Sequence, residues 1–154
     1  MADVLVVDDD PLIREMLRFV LEDAGHDVRE APDGEAALAV LRDAPPQIMV
    51  LDLMMPRVDG YGVLAGRRDE GSAGETRVVI LSCCSREDDF RRCWELGADE
   101  YLTKPVDVDR LVQVIDDLLG ASTAELADRR HQGLSQAVLD ERVDAATHRH
   151  FLRG

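Results

Sequence analysis

The chain has 154 residues, of which 45% are hydrophobic and 32% are charged, and its formal net charge at pH 7 is −14. This length accommodates one domain of common size with a short appendage. The negative charge argues against a general affinity for nucleic acid or anionic membranes, because both need cations to neutralise their phosphates.

Five short runs of apolar or β-branched residues, each ending in polar or turn residues, predict β-strands. They are DVLVV (3–7), HDVREA (26–31), QIMVLD (47–52), RVVILS (77–82) and DEYLT (99–103). The first, third and fourth are continuously apolar at 4–7, 48–51 and 78–81, which is typical of central strands. The second alternates between polar and apolar residues and is predicted to lie at an edge.

Helical periodicity separates and follows these strands. Apolar residues recur at three- and four-residue steps from Ile13 to Ala24, from Ala37 to Leu41, from Phe90 to Trp94 and from Leu111 to Leu119. A third helix, from about Val58 to Asp69, has a weaker signal because its three glycines lower helix propensity. Five alternations of strand and helix predict right-handed crossovers and a parallel sheet covered on both faces.

Polar residues follow four of the five predicted strands. Asp8 and Asp9 follow the first, Asp52 the third, Ser82 ends the fourth, and Lys104 follows the fifth. The carboxyl ends of parallel strands share one edge of the sheet, where ligands bind in such folds. Carboxylates that lie close together need a positively charged partner to offset their repulsion. A site that supplies only one or two carboxylates and leaves the other positions to water suits Mg²⁺ better than Ca²⁺. We therefore expect a magnesium site there.

The third acid of the DDD run has a different expected role. Pro11 is suited to the first helical position, which makes Asp10 the natural N-cap and leaves the other two acids for the ion. Lys104 is the only lysine among 18 basic residues. A compact ammonium on a flexible stem suits contact with a phosphoryl oxygen in a tight pocket.

Four segments in order resemble the receiver domains of bacterial two-component response regulators of the chemotaxis-regulator type. They are VLVVDDDPLIREML, IMVLDLMMPRVDG, VVILSCC and GADEYLTKP, and the resemblance covers about residues 2–120. It implies an α/β fold, a flavodoxin-like doubly wound sheet of five parallel strands in the order 2-1-3-4-5. It also implies a protein that catalyses only its own phosphorylation and dephosphorylation and is otherwise not an enzyme.

The resemblance also implies roles for the pocket residues. Asp52 resembles the phosphoacceptor, which takes a phosphoryl group from a histidine kinase, a phosphotransfer protein or a small phosphodonor. Asp9, Asp52 and the backbone carbonyl of Met54 resemble the Mg²⁺ ligands, and Asp8 resembles the carboxylate that supports the ion through water. Lys104 is expected to pair with a phosphoryl oxygen.

Three further positions resemble the family's switch and loop residues. Ser82 corresponds to the switch hydroxyl, Tyr101 to the aromatic side chain that moves with it, and Pro105 to the cis-peptide proline. The output implied is a changed surface of the fourth helix, fifth strand and fifth helix, which signals to a downstream protein target. Met54 and Cys83 depart from the commonest residues beside the pocket and predict slower dephosphorylation or narrower access to the pocket.

Residues 121–154 are not covered by the resemblance, so we expect a receiver domain over 1–120 and a helical extension or linker over 121–154. This segment carries five basic and five acidic side chains. Ser122 and Glu125 have capping-box spacing, a break is expected at Gly133 with a restart at Ser135, and an apolar stripe runs from Leu139 to Leu152. We expect this segment to be a helix that associates with a partner or with a second copy; docking on the receiver, a link to an output domain and self-association through the output surface stay open. A complete chain would act by protein contact or by passing the phosphoryl group onward, without binding nucleic acid directly, whereas in a fragment the missing part would hold the output.

No feature of the sequence marks the chain for export or for insertion into a membrane. The N-terminus has no export signal, no apolar run approaches the ~18 residues of a membrane span, and Cys83, Cys84 and Cys93 form no C-x-x-C pair. A cytoplasmic protein without membrane contact is therefore expected. A Mg²⁺-dependent phosphatase with an aspartyl nucleophile, or a flavodoxin-like ligand-binding module, would share parts of this pattern.

Overall fold

The fold was analysed in a computed structural model, which describes residues 2–69, 76–83, 87–133 and 135. The strands are β1 (Asp3–Val7), β2 (Asp27–Ala31), β3 (Ile48–Leu51), β4 (Arg77–Ser82) and β5 (Glu100–Thr103). The helices are α1 (Pro11–Asp23), α2 (Gly34–Asp43), α3 (Gly60–Asp69), α4 (Glu87–Glu95), α5 (Val108–Gly120) and α6, over 123–133.

All neighbouring strands pair in parallel, in the order β2-β1-β3-β4-β5. This confirms the predicted five-stranded α/β sheet, including the central positions of β1, β3 and β4 and the edge position of β2. The pairing register aligns Val7 of β1 with Leu51 of β3. Consequently the next residues, Asp8 and Asp52, leave the sheet at the same level.

Two hydrophobic clusters lie on the two faces of the sheet. Successive residues of β1 alternate between them, because side chains along a strand point to opposite faces. Val4 and Val6 belong to the cluster that includes α1 and α5, whereas Leu5 and Val7 belong to the cluster that includes α2, α3 and α4. The sheet is therefore covered on both faces, as the continuous apolar strands predict.

Aspartates begin four of the described helices by accepting hydrogen bonds from early backbone N–H groups. Asp10 accepts from Leu12 N, Asp33 from Ala36 N, Asp59 from Gly62 N and Asp107 from Arg110 N. Pro11 stands at the start of α1, as predicted. The carboxylate of Asp10 is thus committed to the helix, which separates it from its two acidic neighbours.

Helix α3 begins at Gly60 rather than near Val58 and contains the glycines that weaken its sequence signal. A Cβ atom on Gly60 would lie 2.6 Å from the carbonyl oxygen of Asp52, and one on Gly66 would lie 2.7 Å from Leu38 Cδ2. Close packing against the Asp52 backbone therefore requires Gly60, and it outweighs the low helix propensity of glycine at this position.

The segment after α5 is helical over 123–133, and Ser135 is helical as well. The predicted cap is present, because Ser122 Oγ accepts a hydrogen bond from Glu125 N at 3.1 Å. The break predicted at Gly133 is wrong, since Gly133 is still within the helix. The apolar stripe from Leu139 to Leu152 lies outside the described residues, as does Cys84. Within the described ranges, no helix has the length and apolar character needed to cross a membrane.

Candidate metal centre at the carboxyl edge of the sheet

Three carboxylates meet where β1 and β3 end. Asp8, Asp9 and Asp52 each offer one oxygen atom, and these atoms all lie within 4.8 Å of one another. Asp8 and Asp52 are only 2% and 4% exposed, whereas Asp9 is exposed to solvent. The cluster is therefore buried on one side and open on the other, where an ion could enter from solution.

The chain's single lysine lies against the two buried carboxylates. Lys104 Nζ is 2.9 Å from Asp8 Oδ2 and 3.5 Å from Asp52 Oδ2. Its backbone N donates to the carbonyl oxygen of Ser82 at 2.8 Å, which joins the loop after β5 to the end of β4. One ammonium group faces three carboxylates, so the pocket keeps an excess of negative charge.

The two buried carboxylates have different hydrogen-bond partners. Asp8 accepts from the backbone N of Asp10 at 2.9 Å through one oxygen and from Lys104 through the other. Asp52 accepts a longer bond of 3.3 Å from the backbone N of Met54. Asp8 is therefore held from both sides by strong contacts, while Asp52 has weaker contacts and is the freer of the two to react.

Proton affinities in the pocket reflect this charge imbalance. Burial and the charge of Asp8 raise the pKa of Asp52 above its usual value, and the attraction of Lys104 only partly opposes them. Burial by itself lowers the pKa of Lys104, but its hydrogen bond to Asp8 and the charge of Asp52 outweigh burial and raise it. Asp52 and Lys104 therefore both hold their protons more tightly than the free side chains do, which indicates that the pocket has too little positive charge.

The donor set suits a hard divalent cation. All three side chains present carboxylate oxygens, and one of them is accessible from solvent. Mg²⁺ prefers such oxygen ligands and usually keeps several waters, which the open side of the cluster allows. The residues present therefore fit magnesium.

The other predicted site residues lie around this cluster. Ser82 is fully buried at the end of β4. Tyr101 is half-buried in β5, and its ring centroid is 4.2 Å from that of Phe90 in α4. The peptide bond between Lys104 and Pro105 is cis, as the resemblance implies. Met54 is 59% exposed, and Cys83 is exposed as well.

Two supporting contacts are not evident from the sequence patterns. Arg14 of α1 donates through Nη1 to the backbone carbonyl of Asp8 at 2.7 Å. Tyr61 of α3 donates to Asp89 of α4, and the guanidinium of Arg92 lies 4.1 Å from the Tyr61 ring centroid. Arg14 lies one turn beyond the acidic run, which is the one sequence signal that could have identified it. The α3–α4 contact has no local signal.

The profile of the family described as "Response regulator receiver domain" matches residues 4–116, which is most of the chain. The chain belongs to the response regulator receiver family. Receiver domains are signalling modules of two-component systems that accept phosphoryl groups, use Mg²⁺ in phosphorylation and interact with kinases and downstream effectors.

Individual relatives share the same region of the receiver. A 14.6 kDa protein of Leptolyngbya boryana is 43% identical over 114 residues, covering 73% of this chain and 86% of that protein. The DNA-binding dual master transcriptional regulator RpaA of Synechocystis is 39% identical over 120 residues, covering 77% of this chain and 49% of that protein. The chain thus spans about half the length of this regulator.

Solved structures resemble the fold closely. The chemotaxis protein CheY4 of Vibrio cholerae superposes with a TM-score of 0.72 at 30% identity, covering 77% of this chain and 98% of that one. This likeness agrees with the observed strand order and confirms the chemotaxis-regulator-like fold expected from the sequence.

Proposed function

We propose that this receiver accepts a phosphoryl group on Asp52 in a Mg²⁺-dependent reaction and then presents a changed α4–β5–α5 surface to a protein partner. The observation that carries this proposal is the convergence of three carboxylates and the only lysine at one sheet edge. Without an added cation this arrangement is electrostatically unfavourable, which is expected of a binding site rather than of a purely structural element.

Asp52 is the proposed nucleophile. A carboxylate attacks without first losing a proton when it is ionised, so the protein's main tasks are positioning and charge neutralisation. Asp52 accepts only a long hydrogen bond from the backbone N of Met54, which leaves an oxygen available for attack. Gly60 allows the loop after β3 to pack directly against the Asp52 carbonyl, which holds this residue in place.

Asp9, Asp52 and the backbone carbonyl of Met54 are the proposed Mg²⁺ ligands, with Asp8 acting through water. When bound, the ion supplies positive charge that offsets the charge on the phosphoryl oxygens. Lys104 is positioned by Asp8 at 2.9 Å and lies on the same side as the reactive carboxylate, so its ammonium can donate to a phosphoryl oxygen.

Phosphorylation changes Asp52 from a carboxylate to a group of about −2 charge with three strong acceptors. We propose that the Ser82 hydroxyl and Lys104 donate to these acceptors and that Tyr101 moves with Ser82. Because Tyr101 contacts Phe90, this movement would reach α4. Inverting a 99:1 conformational ratio needs about 5.5 kcal/mol, more than a single hydrogen bond provides, so several contacts must change together.

A histidine kinase or phosphotransfer protein is the proposed phosphodonor. Helix α1 begins beside the acidic pocket and exposes three apolar side chains, Leu12, Met16 and Phe19, which supports docking of a protein at this edge.

The domain division at residue 120 also stays a proposal, and the family match over 4–116 supports it. A cytoplasmic location is proposed for the same receiver.

Phosphorylation with acetyl phosphate tests the proposal. The chain is incubated with acetyl phosphate and Mg²⁺ and its intact mass is measured; one phosphoryl group per chain is expected. Asp52→Asn and a chelator should each abolish the adduct, whereas Asp27→Asn, an exposed acid away from the pocket, should not. An unchanged adduct in Asp52→Asn would contradict the assignment.

The same experiment separates the alternative functions. A phosphatase would turn over an external phosphoester many times, whereas a receiver modifies itself about once per chain. A ligand-binding module of this fold would gain no phosphoryl group at all.

A further inference from the structure

Helix α6 packs against the receiver rather than extending away from it. Leu126 is only 8% exposed and joins the hydrophobic cluster that contains α5 residues such as Leu118. Arg77, at the start of β4, donates to the carbonyl oxygen of Ala121 at 3.1 Å, so the connection between α5 and α6 is held as well.

Two arginines of α6 pair with acids at the start of β5. Arg130 lies 2.8 Å from Asp99 Oδ1 through both Nε and Nη2, and Asp99 is 0% exposed. The other oxygen of Asp99 accepts from the backbone N of Val78 at 2.9 Å. Arg129 lies 2.7 Å from Glu100 Oε2. These contacts anchor α6 to β5 by charge.

A third contact anchors α6 to a different element. Gly133 lies so close to Trp94 of α4 that a Cβ atom there would be 2.4 Å from the ring atom Cε2. Trp94 is half-buried rather than part of the central core, and it is the chain's only tryptophan. Helix α6 therefore bridges α4 and β5, the two elements that carry Phe90 and Tyr101.

The interface between α6 and the receiver is incompletely packed. A polar cleft lies between α5 and α6, lined by charged side chains that include Arg110, Asp116, Glu125 and Asp128. A helix held by one apolar side chain and a few polar contacts beside such a cleft can detach while the rest of the hydrophobic cluster stays packed.

We propose that α6 is an intramolecular latch on the α4–β5 surface, docked in the unphosphorylated receiver and released when Asp52 is phosphorylated. This inference depends on the proposed function. A rigid helix can satisfy its anchors on α4 and β5 together only in one relative placement of those elements. A displacement of α4 against β5 would break one anchor, and by linkage release of α6 would favour the phosphorylated state.

Release would uncover Trp94 and leave the acids Asp99 and Glu100 without their arginines. The surface fits a helix that carries adjacent basic residues and a small residue one turn further on, which is the pattern α6 itself presents. The downstream partner is therefore expected to present an arginine-bearing helix that competes with α6.

Amide hydrogen exchange of residues 123–133 and Trp94 fluorescence test the latch in the full chain. With acetyl phosphate and Mg²⁺, exchange in this segment should accelerate about tenfold, within the usual range of allosteric coupling, and Trp94 fluorescence should change. Neither change should occur in Asp52→Asn. Unaltered exchange in a chain whose mass shows full phosphorylation would overturn the latch alone, whereas failure to form any adduct would overturn the proposed function as well.

Variants test the anchors independently of phosphorylation. Gly133→Ala should release α6 by its clash with Trp94, although alanine favours the helix itself. Arg129→Glu should also release α6, and the double variant with Glu100→Arg should restore docking; Arg42→Gln, on α2, should have no effect. Native exchange rates in both single variants would refute the assignment, as would a fluorescence signal that depends on protein concentration, since that would indicate docking by a second copy.

Discussion

Replacing Asp52 with asparagine should stabilise the receiver when no divalent ion is present. At an effective dielectric constant of about 20, the attraction to Lys104 across 3.5 Å is worth about 4.7 kcal/mol. The repulsion from Asp8, whose oxygen lies within 4.8 Å, is worth at least about 3.5 kcal/mol on the same scale. These terms nearly cancel.

Desolvation decides the sign. Asp52 is 4% exposed, and burying an ion costs several kcal/mol. Lys104 keeps its 2.9 Å contact with Asp8 in the variant, so no ammonium is left unpaired. We therefore expect Asp52→Asn to raise the free energy of unfolding by about 1–3 kcal/mol, because the desolvation cost that is removed exceeds the small net Coulombic attraction that is lost.

Urea unfolding in excess chelator measures this difference, with Asp27→Asn as the exposed control. Magnesium should narrow the difference in stability by favouring the wild type, which gains about 1.4 kcal/mol at ten times its dissociation constant. The variant should gain less, because it has lost one of three carboxylates. A wild type at least as stable as Asp52→Asn in chelator, or equal stabilisation of both by Mg²⁺, would refute the electrostatic reasoning.

Three further predictions concern the surroundings of the pocket. Lys104→Met should lower the free energy of unfolding by about 3–5 kcal/mol in chelator, because it leaves buried carboxylates unpaired; urea unfolding measures this, and Mg²⁺ should recover part of the loss. Gly60→Ala should lower the free energy of unfolding by about 1–3 kcal/mol through overpacking, and it should slow modification by acetyl phosphate. Gly120→Ala should have neither effect, because a Cβ atom at Gly120 meets nothing within 4 Å. Combining Met54→Asn with Cys83→Ala should shorten the lifetime of the phosphorylated state in Mg²⁺, measured as decay of the mass adduct; equal lifetimes would remove any role for these side chains.

Much of the fold could be predicted from local patterns. Continuous apolar runs identified β1, β3 and β4 as central strands, and alternation placed β2 at an edge. The positions of Asp8, Asp52 and Lys104 after their strands were enough to bring them together, because parallel strands end at one edge of the sheet. Asp10 could be separated from its neighbours because capping by an aspartate before proline is a local interaction.

Contacts between distant segments could not be predicted in the same way. Glycines weakened the signal for α3, yet Gly60 is required by the backbone of Asp52. Gly133 suggested a helix break, but it lies within α6, where it contacts Trp94. In each case a neighbour remote in the sequence sets the requirement, and propensity contains no information about that neighbour.

The sequence by itself determined the order of strands and helices, the caps and the set of acids at the sheet edge, since these depend on periodicity and on where strands end. Only the tertiary structure decided how charge is distributed in the pocket and that α6 lies across α4 and β5. Both outcomes depend on spatial distances between segments that are far apart in the sequence. Asp8 and Lys104, for example, are separated by 96 residues in the chain. Such distances are set by packing of the whole domain and not by any local run of residues.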